Sequence, residues 1–208
     1  MEKIAIYGAG GFGRETRLLI DQINQSAQNW EFIGFFDDGE SINENVIGGL
    51  QQLNDYEDEI YIVIAIADSK IRKELASKIN NPNVKYPVLI HPSVIYDSRQ
   101  IAFGEGSIIT ANNVFTSDIR IGRHNVVNLA STIGHDIITE DFCSIMPGVH
   151  LSGNVSIGEG TLIGTGARIL QNLEIGSWSK VGAGAVVIED VPDQSTVVGV
   201  PAKLIKKC

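Results

Sequence analysis

The sequence predicts a chain of two parts, a small α/β unit with a parallel sheet over residues 1–90 and an all-β solenoid over residues 91–208. Three features carry this. Strand-like and helix-like stretches alternate through the first ninety residues. A glycine-rich turn follows the first of those strands, and beyond Ile101 apolar residues recur at every sixth position. Alternating elements build a parallel sheet covered by helices. A short, sustained period instead marks a stack of repeats.

Residues 4–7 read as the opening strand, and Gly8-Ala9-Gly10-Gly11-Phe12-Gly13 as the turn after it. An amphipathic helix follows from about residue 12 to 25, with Leu18, Leu19 and Ile23 on its buried face. Residues 32–36 give a second strand, closed by the turn chemistry of Asp37-Asp38-Gly39. Residues 61–66 are apolar on both faces, as a covered parallel sheet requires. Asp68 or Ser69 caps a helix running to residue 79, and residues 84–90 supply a fourth strand. Asn81-Pro82 and His91-Pro92 punctuate the end of this unit. The G-x-G-x-x-G spacing of Gly8, Gly10 and Gly13, between strand and helix, makes the unit Rossmann-like and suits phosphate binding at a helix N-terminus. About ninety residues are too few for both halves of a dinucleotide site.

In the second part, Phe103, Ile109, Phe115, Ile121, Val127 and Ile133 open a column that continues to Val187, interrupted only by Thr139. The residue two before each is usually small or β-branched, as at Ser107, Ser131, Thr161 and Ala185. Glycine often follows, as at Gly104, Gly122 and Gly134, and is expected to relieve corners through positive φ. Three six-residue sides make a triangular coil of eighteen whose alternate residues point inward, which is a parallel β-helix. At about 4.8 Å per coil, five coils make a prism about 24 Å long. Ile119 and Val155 are expected as apolar edges on its outer faces.

Composition removes whole classes of function. A hydrophobic share of 43% excludes wholesale disorder. The net charge of −9 and pI near 4.9 argue against a nucleic-acid partner, which needs a basic face. Cys143 and Cys208 form no disulfide framework, no metal-ligand spacing is present, and no metal is expected. No apolar run approaches the roughly 18 residues of a membrane helix, and the start lacks a signal peptide's zones. The chain reads as soluble and cytoplasmic, with no membrane partner.

Ile6-Tyr7-Gly8-Ala9-Gly10-Gly11-Phe12-Gly13-Arg14-Glu15, Ile133-Gly134-His135-Asp136 and Val198-Gly199-Val200-Pro201-Ala202-Lys203 together resemble one family over essentially the whole chain. It is the hexapeptide-repeat acetyltransferase family of sialic acid O-acetyltransferases and nucleotide-amino-sugar N-acetyltransferases. The resemblance implies a left-handed β-helix, although parallel connections are usually right-handed. It also implies a homotrimer with acetyl-CoA in a groove between neighbouring prisms and a nucleotide-sugar as the other substrate. Its expected activity is N-acetylation of a nucleotide-linked 4-amino-4,6-dideoxy sugar in surface-glycan (lipopolysaccharide or O-antigen) biosynthesis. O-acetylation of sialic acid or another sugar hydroxyl is the alternative, and a non-catalytic nucleotide-binding regulatory protein is the alternative of another class. Ser144 departs from relatives that carry a second histidine near the cofactor.

His135 occupies an outward hexad position past a corner, where an imidazole suits proton removal near neutral pH. Asp136 would hold its tautomer and stabilise its charged form. His91, His124 and His150 read as surface or trimer-contact residues. Eighteen-residue stacking places Gly153 over His135, leaving room for the ring and a backbone N–H for a thioester oxyanion. Gly148, Gly166 and Gly184 stack into a lane free of side chains, suited to a pantetheine arm. Ala183 and Lys203 lie near its far end, where Lys203 would meet a cofactor phosphate. The resemblance assigns Asn128 to the substrate or oxyanion across a subunit interface. It also assigns the Gly8, Gly10 and Gly13 loop to the sugar nucleotide, with Arg14 on its pyrophosphate; Asp37 and Asp38, closing the second strand, are expected to accept hydrogen bonds from a ribose or base. Asp68 and Arg72 are weaker candidates, readable as a helix cap and a surface charge.

Overall fold

The structure, a computed structural model, describes residues 1–27, 29–39 and 45–207. Cys208 lies outside the described residues. The N-terminal unit contains β1 (Glu2–Tyr7), α1 (Gly11–Ala27), β2 (Trp30–Phe36), β3 (Val46–Gly48), α2 (Leu50–Asn54), β4 (Ile60–Ile64), α3 (Ser69–Lys78) and β5 (Val84–Lys85). Its sheet is parallel throughout, in the order β3-β2-β1-β4-β5. The short β3 and α2 carry too little periodicity to be read from sequence. Successive side chains leave opposite faces of β1, so Ile4 and Ile6 pack with Leu19, Ile20 and Ile23 of α1, while Ala5 and Tyr7 pack with Leu53 and Leu75 on the other side. Leu18, expected in the core, is 57% exposed, because the buried stripe of α1 runs through Gly13, Thr16, Leu19, Ile20 and Ile23.

The strand expected over residues 84–90 divides in two. Its first part, β5, closes the N-terminal sheet, whereas β6 (Leu89–Ile90) pairs with Ile108–Ile109 of the second unit. Pro87 stands between them and has no N–H with which to continue a ladder.

Fifteen strands of two or three residues follow, from β7 (Ile101–Phe103) to β21 (Val186–Val187), and each is hydrogen-bonded in parallel to the third strand before or after it. Ile119 pairs with Ile101, Val126 with Ser144 and Thr132 with His150, so the coil is eighteen residues on all three sides. The hexad column from Ile109 to Val187 is buried throughout, Thr139 included. Thr139 is satisfied inside the prism by Asn125, whose Nδ2 donates to its Oγ1 at 2.6 Å. Ile119 and Val155 are core residues, 1% and 0% exposed. They stand two positions before Ile121 and Ile157 and therefore point the same way, inward. Beyond the coils, β22 (Ser195–Val198) and β23 (Lys203–Lys207) form an antiparallel hairpin.

The corners follow a different rule from the expected one. Every sixth residue from Gly106 to Gly184 has positive φ, including Asn112, His124, Ala130, Asp136, Phe142 and Trp178. Glycines after the apolar residue instead serve close approach. A β-carbon on Gly122 would stand 2.5 Å from the Glu140 carbonyl carbon in the coil above.

Candidate active site

The positive-φ positions define three edges of the prism. One holds His124, Phe142, Gly160 and Trp178, the second Ala130, Gly148, Gly166 and Gly184, and the third Asp118, Asp136, Asn154 and Asn172. Apart from Lys203 in the terminal hairpin, each predicted prism residue lies on or beside one of them.

His135 precedes the third edge and is exposed, with its Nδ1 2.7 Å from Asp136 Oδ2. The carboxylate accepts from Nδ1–H, so that in the neutral ring the lone pair falls on Nε2, and Nε2 has no protein partner among the described residues. The ring lies across Gly153, where a β-carbon would come within 2.3 Å of Nε2. The expected stacking of Gly153 over His135 is therefore present, with no side chain between ring and backbone. The backbone of this edge is tied to its neighbours by Asp136 N–H to Ser117 O at 3.1 Å and Asn154 N–H to His135 O at 2.8 Å.

Gly148, Gly166 and Gly184 have φ of 67°, 70° and 67°, and a β-carbon on any of them would meet nothing within 4 Å. The lane is thus open, with room for an extended chain lying against the backbone. It runs along the second edge, however, one side of the triangle away from His135. Asn128 belongs with the lane, two residues before Ala130, where it is buried and its Oδ1 accepts from Leu129 N–H at 2.8 Å. Ala183 is exposed beside Gly184. Lys203 is exposed opposite Val198 in the terminal hairpin.

The N-terminal residues converge on a cleft of about 490 Å³ at the C-terminal ends of β1, β2 and β4. Here neighbouring crossovers diverge from β1, the place where open parallel sheets take ligands. Gly8, Gly10, Asp37 and Asp38 line it, together with Ala65 and Ile66. Gly13 is needed for closure of the loop, because a β-carbon would stand 1.9 Å from Gly8 O. Gly10 differs, since nothing lies within 4 Å of its β-carbon position. The carboxylates shape the loop: Asp37 accepts from Ala9 N–H at 2.6 Å and Gly39 N–H at 2.7 Å. Asp38 accepts from Leu50 N–H at 2.9 Å and from the Tyr7 hydroxyl. Burial, then the bond to Asp38, pushes the Tyr7 phenol upward, so it remains a donor. Arg14 is exposed on α1 and does not line the cleft.

Asp68 stands outside this cleft. It caps α3, accepting from Lys70 and Ile71 N–H at 2.9 and 3.0 Å, and borders a separate small cavity with Trp178 and Lys180. His124 is not a surface residue. It stacks on Phe142 at 5.2 Å and meets Tyr86 edge-on at 4.7 Å, and burial pushes its pKa down to about 4. His150 bonds through Nδ1 to Thr132 Oγ1 at 2.8 Å, and His91 bonds to Ser93. Ser144 is buried at the junction of the two units, not beside His135. Arg72, read as a surface charge, is 1% exposed. Its signal was present: Ser69, Arg72 and Leu75 recur at helical spacing on the buried face of α3.

Comparison with known proteins agrees with this architecture. The family described as PglD N-terminal domain matches residues 3–79, and bacterial transferase hexapeptide repeats match residues 136–171 and 154–189. The GDP-perosamine N-acetyltransferase of Escherichia coli O157:H7 is 34% identical over 177 residues, 82% of this chain and 79% of the relative. The acetyltransferase domain of PglB from Neisseria gonorrhoeae FA1090, solved with acetyl coenzyme A, superposes with a TM-score of 0.89 at 36% identity, covering 98% of this chain and 99% of that one. PerB from Caulobacter crescentus, solved with CoA and GDP-perosamine, gives a TM-score of 0.86 at 27% identity, covering 99% and 98%. The Rossmann-like sheet, the eighteen-residue coils of a left-handed β-helix and these likenesses together show that the chain belongs to the hexapeptide-repeat acetyltransferase family that includes the nucleotide-amino-sugar N-acetyltransferases.

Proposed function

We propose that this chain transfers an acetyl group from acetyl-CoA to the amine of a nucleotide-linked 4-amino-4,6-dideoxy sugar, as a step in building a bacterial surface glycan. The observation that carries the reading is the His135 imidazole, fixed through Nδ1 by Asp136 and presenting an unpartnered Nε2 over Gly153. Relatives of similar length are named for acetyl transfer to perosamine, and two of the likened structures hold acetyl coenzyme A or CoA.

Bound acetyl-CoA supplies the acetyl group as a thioester. The open Gly148, Gly166 and Gly184 lane fits its pantetheine arm, with Ala183 and Lys203 toward the nucleotide end. The acceptor's nucleotide lies in the cleft, where Gly10 leaves the backbone open to the phosphates and Gly8, Gly13, Asp37 and Asp38 set the loop. Nε2 of His135 takes the amine proton as the new C–N bond forms at the thioester carbonyl, and gives it to the departing thiolate sulfur once the C–S bond breaks, leaving the amide and the free thiol. Asp136 stabilises the imidazolium during that interval. The Gly153 N–H faces the developing oxyanion.

His135 and the lane lie on different edges of one prism, so a complete site joins the third edge of one copy to the second edge of another. A homotrimer satisfies this and brings Asn128 to the substrate across the interface. In this reading the N-terminal unit is residues 1–90 and the acetyltransferase unit residues 91–208, with Leu89 and Ile90 already paired to the second unit's sheet. Among the described residues no helix is long and apolar enough to cross a membrane. The proposed reaction draws on acetyl-CoA and is assigned to the cytoplasm on that ground.

Thiol release from acetyl-CoA, measured across a panel of nucleotide-linked amino sugars, their hydroxyl analogues and free sialic acid, tests the reading. Turnover with an amino sugar is expected. Turnover with hydroxyl acceptors alone, or tight nucleotide binding without thiol release, would overturn it. Sedimentation equilibrium should give three times the 22.5 kDa of one chain.

A further inference from the structure

Arg72 is the largest fully buried side chain in the described chain, and no carboxylate pairs with it. Isolated buried cations are costly, so every donor must find an acceptor. The guanidinium does so through six hydrogen bonds that fall into two sets. Nη1 donates to Ile66 O at 2.6 Å and Ala67 O at 3.2 Å, in the loop that leaves β4. Nε donates to His124 O at 2.9 Å, while Nη2 donates to Phe142 O at 2.7 Å, Cys143 O at 3.2 Å and Ser144 Oγ at 3.0 Å. His124 and Phe142 are one coil apart on the same edge of the prism.

One side chain therefore spans two successive coils and the segment after β4. That segment borders the cleft: Ala65 and Ile66 line it, and Ala65 O stands 2.9 Å from the position of a β-carbon on Gly8. The dock is reinforced where Ser69 Oγ lies 3.4 Å from Ser144 Oγ and Lys73 Nζ reaches Glu159 Oε1 at 2.8 Å. We infer that Arg72 is a positioning residue, holding Ile66 in the wall of the nucleotide cleft, and Ala67 just after it, in register with the prism and so setting where the acceptor amine arrives. The inference rests on the cleft being the acceptor site. Burial pulls the Arg72 pKa down to about 10, against the opposing influence of Cys143 and Asp68, and leaves the group charged at neutral pH. A planar fork with five N–H donors can serve both sets of acceptors, whereas an ammonium has three donors at one point.

Steady-state kinetics on Arg72→Lys and Ser144→Ala, with each substrate varied in turn, test this in the full chain. Arg72→Lys should raise the KM for the nucleotide-sugar about tenfold and Ser144→Ala two- to fivefold, both with acetyl-CoA KM within twofold of wild type. In Arg72→Ala, millimolar guanidinium should restore part of the lost nucleotide-sugar affinity. A lowered Tm in folded Arg72→Lys and Ser144→Ala with both KM values unchanged would make Arg72 merely structural and overturn the inference. Gly10→Val separates this from the parent reading. If it raises nucleotide-sugar KM while Arg72→Lys does not, only the positioning role fails, and if it leaves that KM unchanged, the cleft is not the acceptor site.

Discussion

The His135 imidazole rests on Gly153 with no β-carbon between them, and such a carbon would stand 2.3 Å from Nε2 and 2.4 Å from Cε1. Only the far end of a rotatable side chain is in the way, and Gly153 is not among the positive-φ residues. Gly153→Ala should therefore fold normally while turning the imidazole off its place above the backbone. We expect kcat to fall about 10- to 100-fold with Tm within about 2 °C of wild type. Unchanged kcat would mean that the ring's rest position is immaterial.

His135→Ala removes a ring that is mostly exposed and packs into no core. The prism should keep its Tm and its affinity for both substrates, and kcat should drop by about 10²–10⁴, the usual contribution of a positioned base. Asp136→Asn, which keeps shape at a positive-φ position that Asn112 and Asn154 also occupy, should fall between that variant and wild type. Steady-state rates within twofold of wild type for His135→Ala would leave proximity alone as the source of catalysis.

Gly10 and Gly13 should respond in opposite ways. Gly10→Val places its side chain in open cleft and should raise nucleotide-sugar KM at least tenfold with little change in Tm. Gly13→Ala drives a methyl group into Gly8 O and should destabilise the N-terminal unit by several kcal/mol. Thermal denaturation and substrate titration of the two variants side by side check both halves.

The lane is tested by Gly166→Gln. Asn112 and Ala130 already carry side chains in that column at φ of 62° and 57°, so the prism tolerates one there. The cost should be about 1–2 kcal/mol for the left-handed backbone. If the pantetheine arm lies along the lane, acetyl-CoA KM rises tenfold or more while nucleotide-sugar binding, followed by calorimetry, is unchanged. The reverse pattern would move the cofactor elsewhere.

His124 confers a pH dependence on stability. The folded chain keeps it neutral to about pH 4, whereas the unfolded chain protonates it from about pH 6.5. Unfolding takes up a proton between those values, so stability is full above pH 6.5 and falls as pH is lowered, by about 1.4 kcal/mol per pH unit at most. Phe142 shows that phenylalanine is accepted at the equivalent position with φ of 61°. The loss of stability between pH 6.5 and 4.5, read from urea titrations, should be smaller in His124→Phe than in wild type. Equal slopes would place the acid sensitivity in the carboxylates alone.

Much of this molecule was legible in its sequence because the relevant physics is short-ranged. The hexad column from Ile109 to Val187 dictates a triangular coil, and a strict period of eighteen then places Gly153 beside His135 by arithmetic. Strand, glycine turn and helix are likewise local, which is why the cleft lined by Gly8, Gly10, Asp37 and Asp38 lies where the motif put it. Period alone misjudged direction at Ile119 and Val155, since both two-residue partners of each side point inward once the corners turn at the third.

What only the tertiary structure decided is how the two units meet and which edge each candidate occupies. Leu89 and Ile90 pass from one sheet to the other, Arg72 and His124 exchange a surface reading for a buried one, and Ser144 is buried at the junction, because docking covers one edge and one face of the prism. Docking depends on complementary surfaces assembled from residues 52 to 86 positions apart, and no local pattern encodes such pairs. The same holds for His135 and the Gly148 lane: the repeat makes both, and only the closed triangle sets them on separate edges.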